Sequence, residues 1–138
     1  MNRADFQQLA EIRVLEATAL QVAGSPEGAF YLAGYAVECG LKACIAKLTK
    51  EFDFPPDKAF IEKCYTHDLV KLRAAAGLDQ QFQVDSQNRA ALTLKWELVK
   101  TRKESARYER RSHAEASDML SAVTDNVDGV LPWIKLYW

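Results

Sequence analysis

The chain has 138 residues, of which 49% are hydrophobic, so it is long enough for one domain with a sizeable core and too short for two ordinary domains. Its 18 Lys and Arg residues and 19 Asp and Glu residues give a formal charge of −1, so no overall basic excess points to bulk binding of nucleic acid or membrane surfaces. No run reaches the roughly 18 apolar residues of a membrane span, and the first residues lack an apolar signal core. We therefore expect a single cytoplasmic domain over residues 1–138, with no membrane association.

The first two predicted helices follow from periodicity and from the residues between them. Residues 3–23 contain no Pro or Gly, and their apolar residues fall on one helical face. The Ser25-Pro26 pair has the N-cap and first-residue chemistry that is typical of a helix start. This second helix is predicted to run to about Lys50, before a break at Asp53-Phe-Pro-Pro56.

Two short helices and a loop are predicted in the middle of the chain. The helices cover residues 57–65 and 67–76, and Thr66 is the expected cap of the second. Residues 78–85 are polar and weakly patterned, which predicts a loop.

The last part of the chain is predicted to form two long helices. The first covers residues 86–107, and the second begins at Ser112-His-Ala-Glu115, which has the spacing of a capping box. An apolar stripe continues the second helix past Pro132, which should kink it or fray its end. Because nothing alternates with a period of two, the predicted fold is all-α, an up-and-down bundle of four main helices plus one or two short helices.

The second helix carries a candidate pocket or interface. Glycine and alanine alternate with bulky residues over Gly28–Cys44, which permits close packing of a partner helix. This property predicts that the helix is the central one of the bundle, and together with the apolar terminal segment 132–138 it would also permit a homodimer. One face of the helix carries four candidate residues, Tyr31, Tyr35, Glu38 and Lys42. These residues line either a pocket or a dimer interface, and the alternative is a Glu38–Lys42 pair that only stabilises its helix.

A local basic run contrasts with the balanced charge of the whole chain. Lys100–Arg111 contains six cationic and two acidic residues, an excess of four positive charges that suits phosphate contacts. The candidate phosphate-binding residues are Lys103, Arg110 and Arg111, and Tyr108 and Trp96 are candidate stacking surfaces for unpaired bases. The alternatives are a solvated helix end for the run and a core position for Trp96.

Several segments together resemble the HEPN family (higher eukaryotes and prokaryotes nucleotide-binding domains). The specific segment is Ala29-Phe-Tyr-Leu-Ala-Gly-Tyr-Ala-Val-Glu-Cys-Gly-Leu-Lys-Ala43, and the others are Leu9–Arg13, His67–Leu72 and Arg107-Tyr108. This resemblance covers nearly the whole chain and implies a four- or five-helix bundle that usually dimerises. It implies binding of RNA or nucleotide, and in many members a metal-independent ribonuclease of a toxin–antitoxin or defence system. The alternative that it implies is a non-catalytic module that docks a nucleotidyltransferase or antitoxin partner.

The resemblance also implies a catalytic pair. Active members carry an arginine, four to six residues and then a histidine, and here Arg107 and His113 enclose five. Histidine is suited to acid/base work and arginine to holding a phosphate, so His113 would be the acid/base and Arg107 the phosphate clamp, with no metal or cofactor. At the position directly after the arginine, active members usually have a small polar residue, whereas this chain has Tyr108. This difference keeps the non-catalytic alternative open. A further alternative is a small nucleotide held against Tyr35, Glu38 and Lys42.

The three cysteines are predicted to be small apolar residues. Cys39, Cys44 and Cys64 lack the paired close spacing of a zinc or redox site, so no metal centre is expected.

Overall fold

The structure, a computed structural model, describes residues 1–50, 54 and 56–138. Within these residues the chain forms eight α-helices, one 3-10 helix and no strand, which confirms the predicted all-α helical bundle. The helices are α1 (Arg3–Val22), α2 (Pro26–Leu48), α3 (Lys58–Cys64), α4 (Leu69–Ala75), α5 (Asp79–Asn88), α6 (Ala90–Val99), the 3-10 helix (Glu104–Tyr108), α7 (His113–Thr124) and α8 (Val130–Lys135).

Helix α2 is the centre of the bundle. It packs against α1, α4, α7, α8 and the 3-10 helix, and residues on nearly all of its faces are buried. A helix that is apolar on all sides belongs in a core, which explains this position. By length and composition α2 is also the one described helix that is able to cross a membrane, but 72% of its most apolar stretch is buried inside the bundle.

The glycines of α2 are used inside this single chain. A Cβ at Gly28 would lie 2.9 Å from a leucine side chain of α1, and a Cβ at Gly40 would lie 3.0 Å from Leu131 Cδ1 of α8. At Gly34 the neighbour is the side chain of Arg102, with Cγ only 2.4 Å away. The close approaches that these small residues permit are therefore made within the bundle, which confirms α2 as its central helix, and the homodimer stays a prediction.

The predicted loop over residues 78–85 is wrong, because α5 occupies this segment. Phe82 anchors α5 in the core, where its ring centroid lies 5.6 Å from that of Trp96 and 5.3 Å from that of Trp133. One buried aromatic ring thus stabilises a helix whose other residues are polar apart from Val84, which is exposed. Trp96 is itself 2% exposed, so it belongs to the core and is not a stacking surface for bases.

The two long helices predicted for the last part of the chain are each divided. The first is interrupted at Arg89, whose φ of −131° and ψ of 74° are not helical, and α6 ends at Val99. The capping box at Ser112 is confirmed, but α7 ends at Thr124 and a turn closed by Asp125 separates it from α8. Pro132 does not kink a long helix, because it lies in the first turn of α8, where its missing N–H removes no helical hydrogen bond.

Two helix ends also differ from the prediction. Asp68, and not Thr66, caps α4, since Asp68 Oδ1 accepts hydrogen bonds from the backbone N–H groups of Val70 at 2.9 Å and Lys71 at 3.1 Å. Helix α2 ends at Leu48, slightly before the expected end. Within the predicted break at 53–56, residues 53 and 55 lie outside the described residues.

The terminal segment is held to α5 by one carboxylate. Asp85 Oδ2 accepts hydrogen bonds from Trp133 Nε1, at 2.8 Å, and from the Tyr137 hydroxyl, while Asp85 Oδ1 accepts from Gln81 Nε2 at 2.8 Å. These hydrogen bonds satisfy the carboxylate of Asp85 and the indole N–H of Trp133 at the edge of the core.

Candidate functional site

A buried carboxylate on α2 organises the most polar part of the interior. Glu38 is fully buried, and its two oxygens accept hydrogen bonds from three side chains that come from three segments of the chain. Lys42 Nζ and His67 Nδ1 each lie 2.9 Å from Glu38 Oε1, and Arg102 Nη1 lies 2.7 Å from Glu38 Oε2. We call Glu38, Lys42, His67 and Arg102 the Glu38 cluster.

The Glu38 carboxyl is ionised in this environment. Burial raises the pKa of the Glu38 carboxyl, but the hydrogen bonds from its three partners outweigh burial, and the pKa lies below the ordinary value. An ionised carboxylate can only accept hydrogen bonds. The N–H of the His67 ring therefore lies on Nδ1 and donates to Glu38, which leaves Nε2 on the other side of the ring.

Arg102 is buried as deeply as Glu38, with 1% of its surface exposed. Its guanidinium carbon lies 4.4 Å from the ring centroid of Tyr31 and 5.5 Å from that of Tyr35, so both rings provide cation–π contacts. Its stem occupies the space above Gly34, where any larger residue would collide with it. Arg102 Nε is buried and has no hydrogen-bond partner among the described residues.

His67 connects the Glu38 cluster to the surface. It lies just before α4, between Thr66, whose hydroxyl accepts from the Asp68 N–H at 3.2 Å, and Asp68, which caps the helix. These short-range bonds fix the backbone on both sides of the ring. The side chain of His67 is 47% exposed, so the ring faces the buried carboxylate on one side and an open groove on the other.

The groove lies between the start of α4 and the segment that follows α6. Its volume is about 950 Å³. Its lining residues are Thr66–Val70, Lys100–Glu104 and Glu109. Arg102 and His67 thus both line the groove, and Lys103 lies exposed at it, with no ion-pair partner among the described residues.

The basic run is balanced by carboxylates that the fold brings to it. Four acidic residues from outside the run each pair with one of its cations; the pairs are Lys100–Glu97, Arg102–Glu38, Arg110–Glu27 and Arg111–Glu115. These four acids offset the excess of four positive charges seen in the sequence. The region therefore offers a few placed cations and not a broad positive surface.

The predicted phosphate-binding residues differ in how available they are. Arg110 is 97% exposed and pairs with Glu27 only at 3.4 Å, and the ring of Tyr108 is 80% exposed. Arg111 is held by Glu109 and Glu115, and its guanidinium carbon lies 4.2 Å from the ring centroid of Phe30. Arg110, Tyr108 and the groove residue Lys103 are thus accessible, whereas Arg111 is largely engaged.

The two residues of the predicted catalytic pair contact different partners in this chain. Arg107 Nη2 donates to Glu104 at 2.8 Å, and the guanidinium packs on the adjacent Tyr108 ring. His113 opens α7, and its Nε2 lies 3.1 Å from Gln21 Nε2 of α1. In the described part of the chain no hydrogen bond or ion pair joins Arg107 to His113. Their convergence stays a prediction.

The four residues predicted on one face of α2 do lie together, but their common partner was missed. The 3.6-residue period placed Tyr31, Tyr35, Glu38 and Lys42 on one face, and the structure adds Arg102 and His67 to them. The available signal was a carboxylate in an otherwise apolar helix, which requires compensating donors if it is buried. Helical spacing identified Lys42 as one of these donors, but nothing in the sequence identified Arg102 or His67 as the others.

The described residues hold no group of three His, Cys, Asp or Glu side chains arranged for a metal ion. Cys39 and Cys44 are buried, and burial raises the pKa of each thiol to about 11. No family model, no curated protein and no solved structure matches this chain.

Proposed function

We propose that this chain is an HEPN-type helical domain that binds RNA or a nucleotide in the groove between Thr66–Val70 and Lys100–Glu104. One observation carries the proposal: a carboxylate-held histidine and a buried arginine line the same groove, next to an exposed lysine. Imidazole and ammonium groups can hold phosphate oxygens and ribose hydroxyls, while the guanidinium of Arg102 is paired with Glu38.

The balanced charge of the region sets the expected mode of binding. Because carboxylates offset most of the cations, the groove suits one or two phosphates and does not suit a long polyanion. Tyr108 does not line the groove, but it precedes the lining residue Glu109, and its exposed ring offers a surface for stacking an unpaired base. A nucleotide, or a short single-stranded segment of RNA, is thus the proposed ligand.

Binding is tested by fluorescence anisotropy with a short labelled single-stranded RNA at several salt concentrations. We expect Lys103→Glu to weaken binding by about tenfold, the effect of roughly 1.4 kcal/mol. Lys58→Glu is the matched control, because Lys58 is also exposed and also lies at a helix start but is on α3, outside the groove. With one or two phosphates, the slope of log K against log salt should be about −0.7 to −1.4. Equal weakening by both variants, or a much steeper slope, would contradict the proposed site.

The second candidate function is a metal-independent ribonuclease that uses Arg107 and His113. The observation that favours it is that both side chains are exposed, so a bound RNA can reach them. Cleavage of mixed RNA in EDTA, abolished by both Arg107→Ala and His113→Ala, would establish this activity. If neither substitution changes cleavage, these residues are not the catalytic pair.

Partner docking is the non-catalytic alternative, with a nucleotidyltransferase or an antitoxin as the partner and a homodimer as the assembly. The observation in its favour is an exposed apolar row on α1, where Leu15 is 70% and Val22 is 84% exposed. Light scattering at micromolar concentration tests the homodimer, and Leu15→Glu should convert a dimer that uses this row to a monomer. A monomeric wild type would remove the homodimer from the proposal.

A further inference from the structure

A second opening lies between α1, α2 and α3, and no residue that lines it also lines the groove. Its volume is about 520 Å³, which is within the range of about 300–1,000 Å³ that is typical of small-molecule sites. Most of its wall is apolar, with Phe6 from α1, Ile45 and Ala46 from α2, and Phe60 and Ile61 from α3. We call this opening the α3 pocket.

The α3 pocket leaves α3 without a single buried residue. Phe60 is only partly buried against the core and Ile61 is 40% exposed, although both line the pocket. Protein interiors are close-packed, because an unfilled space forfeits dispersion contacts and leaves apolar surface in water. An apolar molecule in the pocket would contact α1, α2 and α3 together, and it would supply the packing that α3 lacks.

Lys42 is the only charged side chain among the described residues that line the α3 pocket. Its Nζ donates one hydrogen bond to Glu38 at 2.9 Å, and an ammonium group has two more N–H groups to donate. Among the described residues, Glu38 is the only carboxylate that pairs with either Lys42 or Arg102, so these two permanent cations exceed their carboxylate by one positive charge. One further anion at Lys42 would balance this charge.

We propose that the α3 pocket binds an organic monocarboxylate with an apolar body. The carboxylate accepts a charge-assisted hydrogen bond from Lys42, and the body lies against the apolar residues of α1, α2 and α3. A nucleotide or another polyanion does not suit this site, because its further charges would be buried without partners. The α3 pocket is separate from the proposed RNA groove, and neither proposal depends on the other.

Cys64 provides a measure of whether the α3 pocket is occupied. It lines the pocket and is partly exposed, and burial raises the pKa of its thiol while the charge of Lys42 opposes that effect. The thiols of Cys39 and Cys44 are buried and are not part of the pocket lining. A bound ligand would cover Cys64 and slow its alkylation by iodoacetamide, and mass spectrometry identifies which cysteine has reacted.

The test uses the full chain and three probes. Octanoate has both the charge and the apolar body, 1-octanol has the same body without the charge, and acetate has the charge without the body. Calorimetric titration measures binding, and we expect octanoate to bind most tightly, 1-octanol more weakly and acetate not at all. At ten times its Kd, octanoate should slow the alkylation of Cys64 by about tenfold, because only about one site in eleven then remains open.

Three variants test the role of Lys42. Lys42→Met should weaken octanoate binding by about tenfold, the effect of one charge-assisted hydrogen bond, and should change 1-octanol binding by less than about twofold. Retained 1-octanol binding also shows that this variant is folded. Lys42→Arg keeps the cation and should restore most of the octanoate binding. Lys47→Met is the matched control, because Lys47 is on the same helix and outside the pocket lining, where its Nζ donates to the Tyr137 carbonyl.

Three results would overturn the inference. If octanoate does not bind, or binds no more tightly than 1-octanol, Lys42 is not the partner of a carboxylate. Equal weakening by Lys42→Met and Lys47→Met would assign the effect to the general charge of the surface. Octanoate binding that leaves the alkylation of Cys64 unchanged would place the ligand outside the α3 pocket. RNA binding in the groove is measured separately, by the anisotropy experiment, and would stand or fall by that result.

Discussion

Replacing Gly34 by alanine should destabilise this protein, although alanine is the better helix former. Gly34 lies in the interior of α2, where exchanging glycine for alanine normally stabilises a helix by about 1 kcal/mol. Here the new Cβ would lie 2.4 Å from Arg102 Cγ and 2.9 Å from both Cβ and Cδ of the same side chain. These atoms are the stem of a buried side chain and not its flexible end. The guanidinium must therefore move away from Glu38.

The size of the expected destabilisation follows from the Arg102–Glu38 ion pair, which the substitution breaks. Separating the partners of a buried ion pair costs about 3–5 kcal/mol, because each charge remains buried without its partner. Subtracting the helix gain of about 1 kcal/mol leaves a net loss of about 2–4 kcal/mol. With a denaturant slope of about 2 kcal/mol/M, the midpoint of urea unfolding should fall by roughly 1–2 M.

Gly40→Ala is the matched control for the same helix. Its Cβ would lie 3.0 Å from Leu131 Cδ1 and 3.2 Å from Ile134 Cγ2, and both are terminal methyl groups that can shift by a few tenths of an ångström. Its stability should change by less than about 1 kcal/mol, because strain and helix gain oppose each other. Urea titrations followed by far-UV circular dichroism measure both variants. A Gly34→Ala protein at least as stable as the wild type would refute the packing argument.

Three further predictions concern single groups. The pKa of the Glu38 carboxyl lies below its ordinary value of 4.5. The ionised carboxylate therefore stabilises the fold above pH 4.5, and this stabilisation is lost as the pH falls through the folded-state pKa. Glu38→Gln should flatten the acid side of a plot of unfolding free energy against pH. Native protein should react with a thiol reagent at Cys64 first, and Cys39 and Cys44 should react only after unfolding, because burial raises the pKa of both to about 11; three equally fast thiols would contradict their burial. Asp85→Asn should cost about 1–3 kcal/mol and change the tryptophan fluorescence, since it alters the acceptor of a buried indole N–H; unchanged thermal unfolding would argue against that bond.

The sequence predicted the architecture better than the boundaries of its elements. Periodicity identified the helical character of nearly every segment, because each long amphipathic stripe has to bury one face. It failed at α5, where a single buried ring, Phe82, outweighs a polar composition that is typical of loops. It also failed to divide the last helix, because the apolar stripe continues across the turn at Asp125 and the break is made by local hydrogen bonds of that side chain.

Only the residues that α2 contributes to the candidate site were predictable from the sequence. The residues that α2 contributes follow from helical spacing, which acts over a few residues and is visible in any sequence. The partner Arg102 is 64 positions from Glu38 and appears in the sequence as one cation among six. Which of these cations is buried depends on where α6 ends and on the absence of a side chain at Gly34, and both are properties of the packed structure.

The weak packing of helix α3 affects how long the groove beside His67 keeps its shape. None of the residues of α3 is buried, so few apolar contacts oppose the transient release of this helix and of the turn that carries His67. Such a release would separate the imidazole from Glu38 while the core around α2 stays closed. Amide hydrogen exchange should therefore be fast in α3 and in the turn before α4, and slow in α2. The His67 ring would therefore be held by Glu38 for only a fraction of the time. A ligand that bridges Lys103 and His67 would increase this fraction, and it would slow amide exchange in α3.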